Sequence, residues 1–111
     1  MNEIILTKDN FKQEVLKKNR TVVVDFFANW CGPCKAMNLI LERLMRESGD
    51  TIIVGKINID EEEELSNLYR VLSIPTIKIF HNGKIAASAV GFTPYEKLMD
   101  MISKAKSKSA E

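Results

Sequence analysis

The chain has 111 residues, 45% of them hydrophobic and 28% charged, with a formal net charge of +1. That length makes one domain with room for a core of its own, and the near-neutral charge supplies no electrostatic footprint for nucleic acid or an anionic membrane surface. No stretch approaches the roughly 20 apolar residues of a membrane span, and Met1 to Asp9 carries neither the basic region nor the apolar run of an export signal, so the cytoplasm is the expected compartment.

Glu3 to Leu6 predicts a short strand, and Lys8 to Lys18 a helix with Phe11, Val15 and Leu16 on one face and Thr7 as its N-cap. Thr21 to Phe27 is a near-continuous apolar run, the mark of a central strand covered on both faces. Pro33 to about Glu47 carries Met37, Ile40, Leu41, Leu44 and Met45 at helical spacing and ends at Ser48-Gly49-Asp50. Thr51 to Ile59 reads as a second buried strand. Asp60 then heads a helix through about Leu72, with Leu65, Leu68, Tyr69 and Leu72 facing inward and Glu61 to Glu64 in a solvated first turn that suits the helix dipole.

The last third changes character. Thr76 to His81 and Lys84 to Val90 are strands joined by Asn82-Gly83, a strong hairpin signal, with His81 expected at the surface. A final helix from Thr93-Pro94 runs through Leu98, Met99 and Ile102 and frays from Ser103 onward, leaving one domain over residues 1–106 and a frayed tail over 107–111. The sum is an α/β fold: a mixed sheet with helices on both faces, its earlier strands joined by crossover helices and its last two by a hairpin.

Both cysteines of the chain lie in Trp30-Cys31-Gly32-Pro33-Cys34, between the strand that ends at Phe27 and the helix that follows. A strand that turns into a helix there puts the first thiol at a helix N-terminus, where unpaired N–H groups and the aligned dipoles favour the thiolate, the reactive form. Residues i and i+3 on a helix stand about 5–6 Å apart at Cβ, close to the 3.5–4.5 Å a disulfide needs, so the pair can open and close in place. Pro33 suits a first helical turn, where its missing N–H has no partner to lose, and Gly32 lets the backbone turn tightly beside the sulfur. A ring of four residues is worth only about 2 kcal/mol as a staple, which fits exchange better than bracing. Four-coordinate zinc needs more ligands than two cysteines and His81 supply.

The chain resembles the thioredoxin family over nearly its whole length. The resemblance is carried by Val24-Asp25-Phe26, Trp30-Cys31-Gly32-Pro33-Cys34-Lys35, Lys56-Ile57-Asn58-Ile59-Asp60, Ile74-Pro75-Thr76, Phe80, Asn82-Gly83-Lys84 and Val90-Gly91, in that order. It implies a thioredoxin fold, with a central mixed five-stranded sheet flanked by four helices. It also implies a protein-disulfide reductase in which Cys31 attacks a substrate disulfide and Cys34 resolves the mixed disulfide. No bound cofactor is implied; electrons come from NADPH indirectly, through a thioredoxin reductase. The partners are then that reductase and disulfide-containing proteins, and the protein is expected to be a monomer.

Beyond the cysteines, each candidate has two readings. Asp25 is either a surface carboxylate at a strand end or, on the resemblance, a buried group beneath the cysteines that exchanges a proton with Cys34 through water. Lys56 is either a snorkelling lysine or the partner that tempers the charge of Asp25. Pro75 has a low intrinsic cis frequency, which the family match at Ile74-Pro75-Thr76 reverses; the backbone of Ile74 is then expected to bond an extended substrate segment. Trp30 is read as docking surface, together with Ile74 and Gly91, rather than as core. Phe27 stands where many members have Trp, Leu39 where many have a helix-kinking Pro, and Ser73 where Gly is frequent. Two other functions share these residues: a disulfide oxidase or isomerase, and a binding subunit of another enzyme. An oxidase is expected to carry a His inside the CxxC and an export signal, neither of which is present.

Overall fold

In the computed structural model, which describes residues 3–109, five strands form one mixed sheet in the order β1-β3-β2-β4-β5. The strands are β1 (Glu3–Ile5), β2 (Thr21–Phe27), β3 (Ile52–Asn58), β4 (Thr76–His81) and β5 (Lys84–Val90). β1 and β2 both pair with β3 in parallel, whereas β4 runs antiparallel to β2 and β5 antiparallel to β4. The helices are a short π-helical segment (Lys12–Leu16), α1 (Gly32–Ser48), α2 (Glu63–Leu68) and α3 (Tyr95–Ser109).

Alternation along the strands sorts the apolar residues into two cores. Val23, Val54, Ile77 and Ile79 face α1 and α3, packing on Met37, Leu41, Leu44, Leu98 and Ile102. Val22, Val24, Phe26, Ile53, Ile57 and Phe80 face the other way, onto Leu6, Phe11, Val15 and Leu65. Period-2 alternation fixes which side each strand residue takes, so Asp25 and Lys56, two residues on from Val23 and Val54, lie on the α1 side.

Expectations at two boundaries fare differently. The first helical segment is Lys12–Leu16 rather than Lys8 to Lys18, and its N-cap is Phe11, with no side-chain capping bond; Thr7 instead closes the turn before it, its Oγ1 accepting from the Asp9 N–H at 3.2 Å while Asn10 Oδ1 accepts from the Thr7 N–H at 2.8 Å. Asn82 and Gly83 both take positive φ, 53° and 82°, as a two-residue hairpin turn requires.

Others are corrected. Leu16 is exposed rather than on the buried face with Phe11 and Val15. α2 does not run from Asp60 to Leu72. Asn58 Oδ1 accepts from the Asp60 N–H and its carbonyl accepts from Glu61 and Glu62, forming a turn that delays the helix to Glu63. At the other end Arg70 adopts φ 54°, Val71 N–H bonds to Ser66 O, and Arg70 N–H bonds to Asn67 O. This is the Schellman arrangement that closes a helix C-terminus. Leu68 and Leu72 therefore do not face inward; they are 69% and 96% exposed. His81 is half-buried, its Nδ1 2.7 Å from Thr21 Oγ1, rather than a free surface residue. α3 continues past Ser103 to Ser109 because Leu98, Ile102 and Ala105 keep one face buried; Ala110 and Glu111 lie outside the described residues.

Candidate functional site

The site is built where β2 ends and α1 begins. Cys31 is the N-cap residue of α1, in extended conformation, and its Sγ accepts from the Cys34 N–H at 3.2 Å. That hydrogen bond and the helix N-terminus both favour negative charge on this sulfur once the pair is reduced. The two cysteines are joined as a disulfide with Cα atoms 5.3 Å apart. Pro33 sits in the first helical turn, and Gly32 has open space around its Cα. Both cysteines are buried as residues, with Ala28, Phe27, Ile59 and Ile74 packed around them.

The residues expected to dock substrate lie on the segments after β2, before β4 and after β5. Trp30 is 69% exposed, and its Nε1–H donates to Asp60 Oδ2 at 2.8 Å. Its indole is therefore a fixed surface platform and not core. The Ile74-Pro75 peptide is cis. The Pro75 carbonyl accepts from the Gly91 N–H at 2.7 Å, which ties the segment entering β4 to the residue leaving β5. Gly91 has φ 91°, a conformation that glycine adopts without steric cost.

Asp25 is fully buried, which removes the reading as a surface carboxylate. Its two oxygens make no hydrogen bond; the nearest cation is Lys56 Nζ, 3.5 Å from Oδ2. Loss of hydration outweighs the attraction of Lys56 and pushes the Asp25 pKa from 3.8 up to about 6. Lys56 is itself buried, with Nζ hydrogen-bonded to Asn38 Oδ1 and lying 4.4 Å from the centroid of the Phe27 ring. Cys34 and Asn38 are four residues apart on α1, neighbours on one helix face. The Asn38 contact thus brings the Lys56 ammonium to the helix face that carries Cys34.

Asn38 is the site residue that sequence reasoning missed. The signal available was its spacing from Cys34, which repeats the i,i+4 rule. His81, hydrogen-bonded to Thr21 at the opposite end of β2, takes no part. Among the described residues no group of three or more His, Cys, Asp or Glu is placed to hold a metal ion. A surface groove of about 620 Å³ is lined by Phe11, Leu16, Leu65 and Leu68 among others and contains none of the residues just described.

The arrangement can do dithiol–disulfide exchange, and comparison with known proteins points the same way. A family model described as Thioredoxin matches residues 2–104. The chain is 44% identical to a thioredoxin of Buchnera aphidicola subsp. Acyrthosiphon pisum over 92 residues, 82% of this chain and 85% of the relative. It is 41% identical to the thioredoxin of Rickettsia typhi over 99 residues, 89% of this chain and 94% of the relative. It is also similar to the thioredoxin of Bacillus subtilis, at 42% identity over 75% of this chain and 80% of that protein.

Proposed function

This chain belongs to the thioredoxin family, and we propose that within its disulfide-reducing reaction Cys31 is the nucleophile, Cys34 the resolving thiol and Asp25 the group that takes the Cys34 proton. The protein is a thiol-disulfide oxidoreductase of the protein-disulfide reductase type, working through a redox-active disulfide and no bound cofactor. The single observation that carries the division of labour is the position of Cys31 as the N-cap of α1, its sulfur accepting the Cys34 N–H.

In the reduced protein the Cys31 thiolate attacks one sulfur of a substrate disulfide. The substrate S–S bond breaks, one substrate sulfur leaves as a thiolate that solvent protonates, and a mixed disulfide joins the other to Cys31. The Asp25 carboxylate, acting through water, takes the proton of the Cys34 thiol. The Cys34 thiolate then attacks Cys31 Sγ, the mixed disulfide breaks, and the substrate departs with both sulfurs reduced. Two electrons have passed to the substrate, and the Cys31–Cys34 disulfide remains to be reduced by a thioredoxin reductase that draws on NADPH. Lys56 tempers the charge on Asp25. Trp30, Ile74, cis Pro75 and Gly91 form the docking surface, where an extended substrate segment can bond to the backbone of Ile74. The exposed indole and the buried carboxyl support this reading. A redox pair kept as dithiol suits the cytoplasm, where we place the protein, acting as a monomer on disulfide-containing proteins.

Reduction of insulin disulfides by NADPH and a thioredoxin reductase tests the assignment. Turnover that needs both the reductase and Cys31 is the expected result. Failure to turn over with any competent reductase, in protein shown to hold an intact dithiol, would overturn it.

A further inference from the structure

Lys56 stands beside Asp25 without making the bond that the charges invite. Its ammonium lies 3.5 Å from Asp25 Oδ2, and both Asp25 oxygens are buried without a hydrogen-bond donor. A charge-assisted N–H···O bond closes to about 2.7–2.9 Å when nothing opposes it. What opposes it here is Asn38, whose Oδ1 takes the ammonium as a hydrogen-bond donor, while the Phe27 ring lies 4.4 Å from the same nitrogen. Asn38 is short and sits in the regular part of α1, whereas Lys56 reaches from β3 on a flexible four-carbon stem. The rigid partner dictates where the flexible one ends.

The other groups around Asp25 leave Lys56 as the deciding charge. From β4 the paired residue is Ile77, which is apolar. From β1 the Glu3 carboxylate acts only as a more distant negative charge. At the start of α1 the two cysteines are joined as a disulfide and carry no charge. Among the described residues no cation other than Lys56 is paired with Asp25.

We infer that Asn38 is a positioning residue which, by holding the Lys56 ammonium off the Asp25 carboxyl, fixes the pH above which Asp25 becomes a carboxylate able to accept a proton. The functional consequence rests on the reading of Asp25 as proton acceptor for Cys34. A general base works best when poised near the operating pH. An Asp25 clasped by Lys56 would be ionised well below neutrality and correspondingly weak as a base. Set apart from it, the carboxyl stays nearer the range in which a proton can be both taken and returned. The Asn38 amide is suited to the task because it accepts from the ammonium without adding a second negative charge.

The test is the Asp25 carboxyl titration, followed by carbon-13 NMR, in wild type, Asn38→Ala, Lys56→Met and the double variant. Asn38 is half-buried on a helix and Ala is the best helix former, so the fold should tolerate the change. Asn38→Ala should lower the midpoint by about one pH unit, a tenfold loss of proton affinity, as the ammonium closes on the carboxylate. In the Lys56→Met background the same change should shift nothing. A midpoint that stays or rises in Asn38→Ala, or an equal shift without Lys56, overturns the inference. The pH profile of the resolving step, read by stopped flow, separates the two readings. A profile that moves with the midpoint supports both. A midpoint that falls under a fixed profile upholds the Asn38–Lys56 coupling and removes Asp25 from the resolving step.

Discussion

Replacing Asp25 by Asn is expected to stabilise the fold at neutral pH and to change it much less in acid. Ionising this carboxyl costs more in the folded chain than in the unfolded one, because burial outweighs Lys56 and pushes its pKa from 3.8 up to about 6. The stability it confers is therefore fully present below pH 3.8, where the group is protonated in both states, and is lost as pH rises through about 6. At about 1.4 kcal/mol per pH unit, the loss amounts to about 3 kcal/mol. An Asn at the same position does not titrate and avoids it. Lys56 keeps Asn38 and Phe27 in both proteins, and its attraction for the Asp25 carboxylate is already contained in the raised Asp25 pKa. The pH-dependent part of the difference then isolates Asp25.

The assay is urea unfolding of the oxidised wild type and Asp25→Asn, followed by circular dichroism from about pH 3 to about pH 8. The advantage of the variant should grow by about 3 kcal/mol across that range. A chain of 111 residues unfolds with about 0.23 kcal/mol per degree of entropy near its Tm, so the same growth is about 13 °C in Tm. A stability difference that stays constant with pH would mean that Asp25 has the same pKa folded and unfolded. A wild type that gains on the variant as pH rises through 3.8 would mean that Lys56 attraction outweighs desolvation, the reverse of the balance argued here.

Cys31→Ser should abolish turnover, whereas Cys34→Ser should still attack and accumulate mixed disulfides; mass spectrometry of trapped species decides it, and the opposite pattern would reverse the roles. Replacing Gly32 by Pro together with Pro33 by His puts a titratable cation source inside the ring, and should raise the reduction potential by tens of millivolts, where 30 mV is about 1.4 kcal/mol. Equilibration with glutathione buffers measures it; a wild-type pair already as oxidising as the variant would refute the reductase reading. Gly55→Ala should destabilise by about 1–3 kcal/mol, because its Cβ would stand 2.4 Å from Leu6 Cδ1; an unchanged urea midpoint would show that Leu6 gives way freely.

The sheet was legible because its signals are local. Apolar runs, the Asn82-Gly83 turn and the Pro33 position each act within a few residues, and the strands and α1 lie within two residues of where those signals put them. α2 was misread because its limits depend on side chains that form no sequence pattern. Asp60 looks like an N-cap, yet its carboxylate is taken by the Trp30 indole N–H, 30 residues away in sequence. The C-terminal stop is a left-handed residue, a position where Gly is the readable signal, and here it is filled by Arg70. The Asp25–Lys56–Asn38 triangle draws on β2, β3 and α1. Two of its corners were reachable through the family resemblance, since they recur in the motifs that carry it. The third comes from a contact that only the folded chain makes.

Asp25 is also where the chain departs furthest from what folding alone would select. Every neighbouring position in β2 from Val22 to Phe26 is apolar and buried, and an apolar residue or a neutral amide at 25 would satisfy the same strand at lower cost. The carboxyl has no hydrogen-bond donor, and its one cation is engaged by Asn38. Full satisfaction by Lys56 would restore stability by favouring the carboxylate, and in doing so would weaken it as a base. The fold instead retains a carboxyl whose proton affinity lies between those of an ordinary Asp and a thiol. In its proposed role as proton acceptor for Cys34, such a group can both take a proton and return it to water, and that proposal accounts for an acid at a position so unfavourable to the sheet.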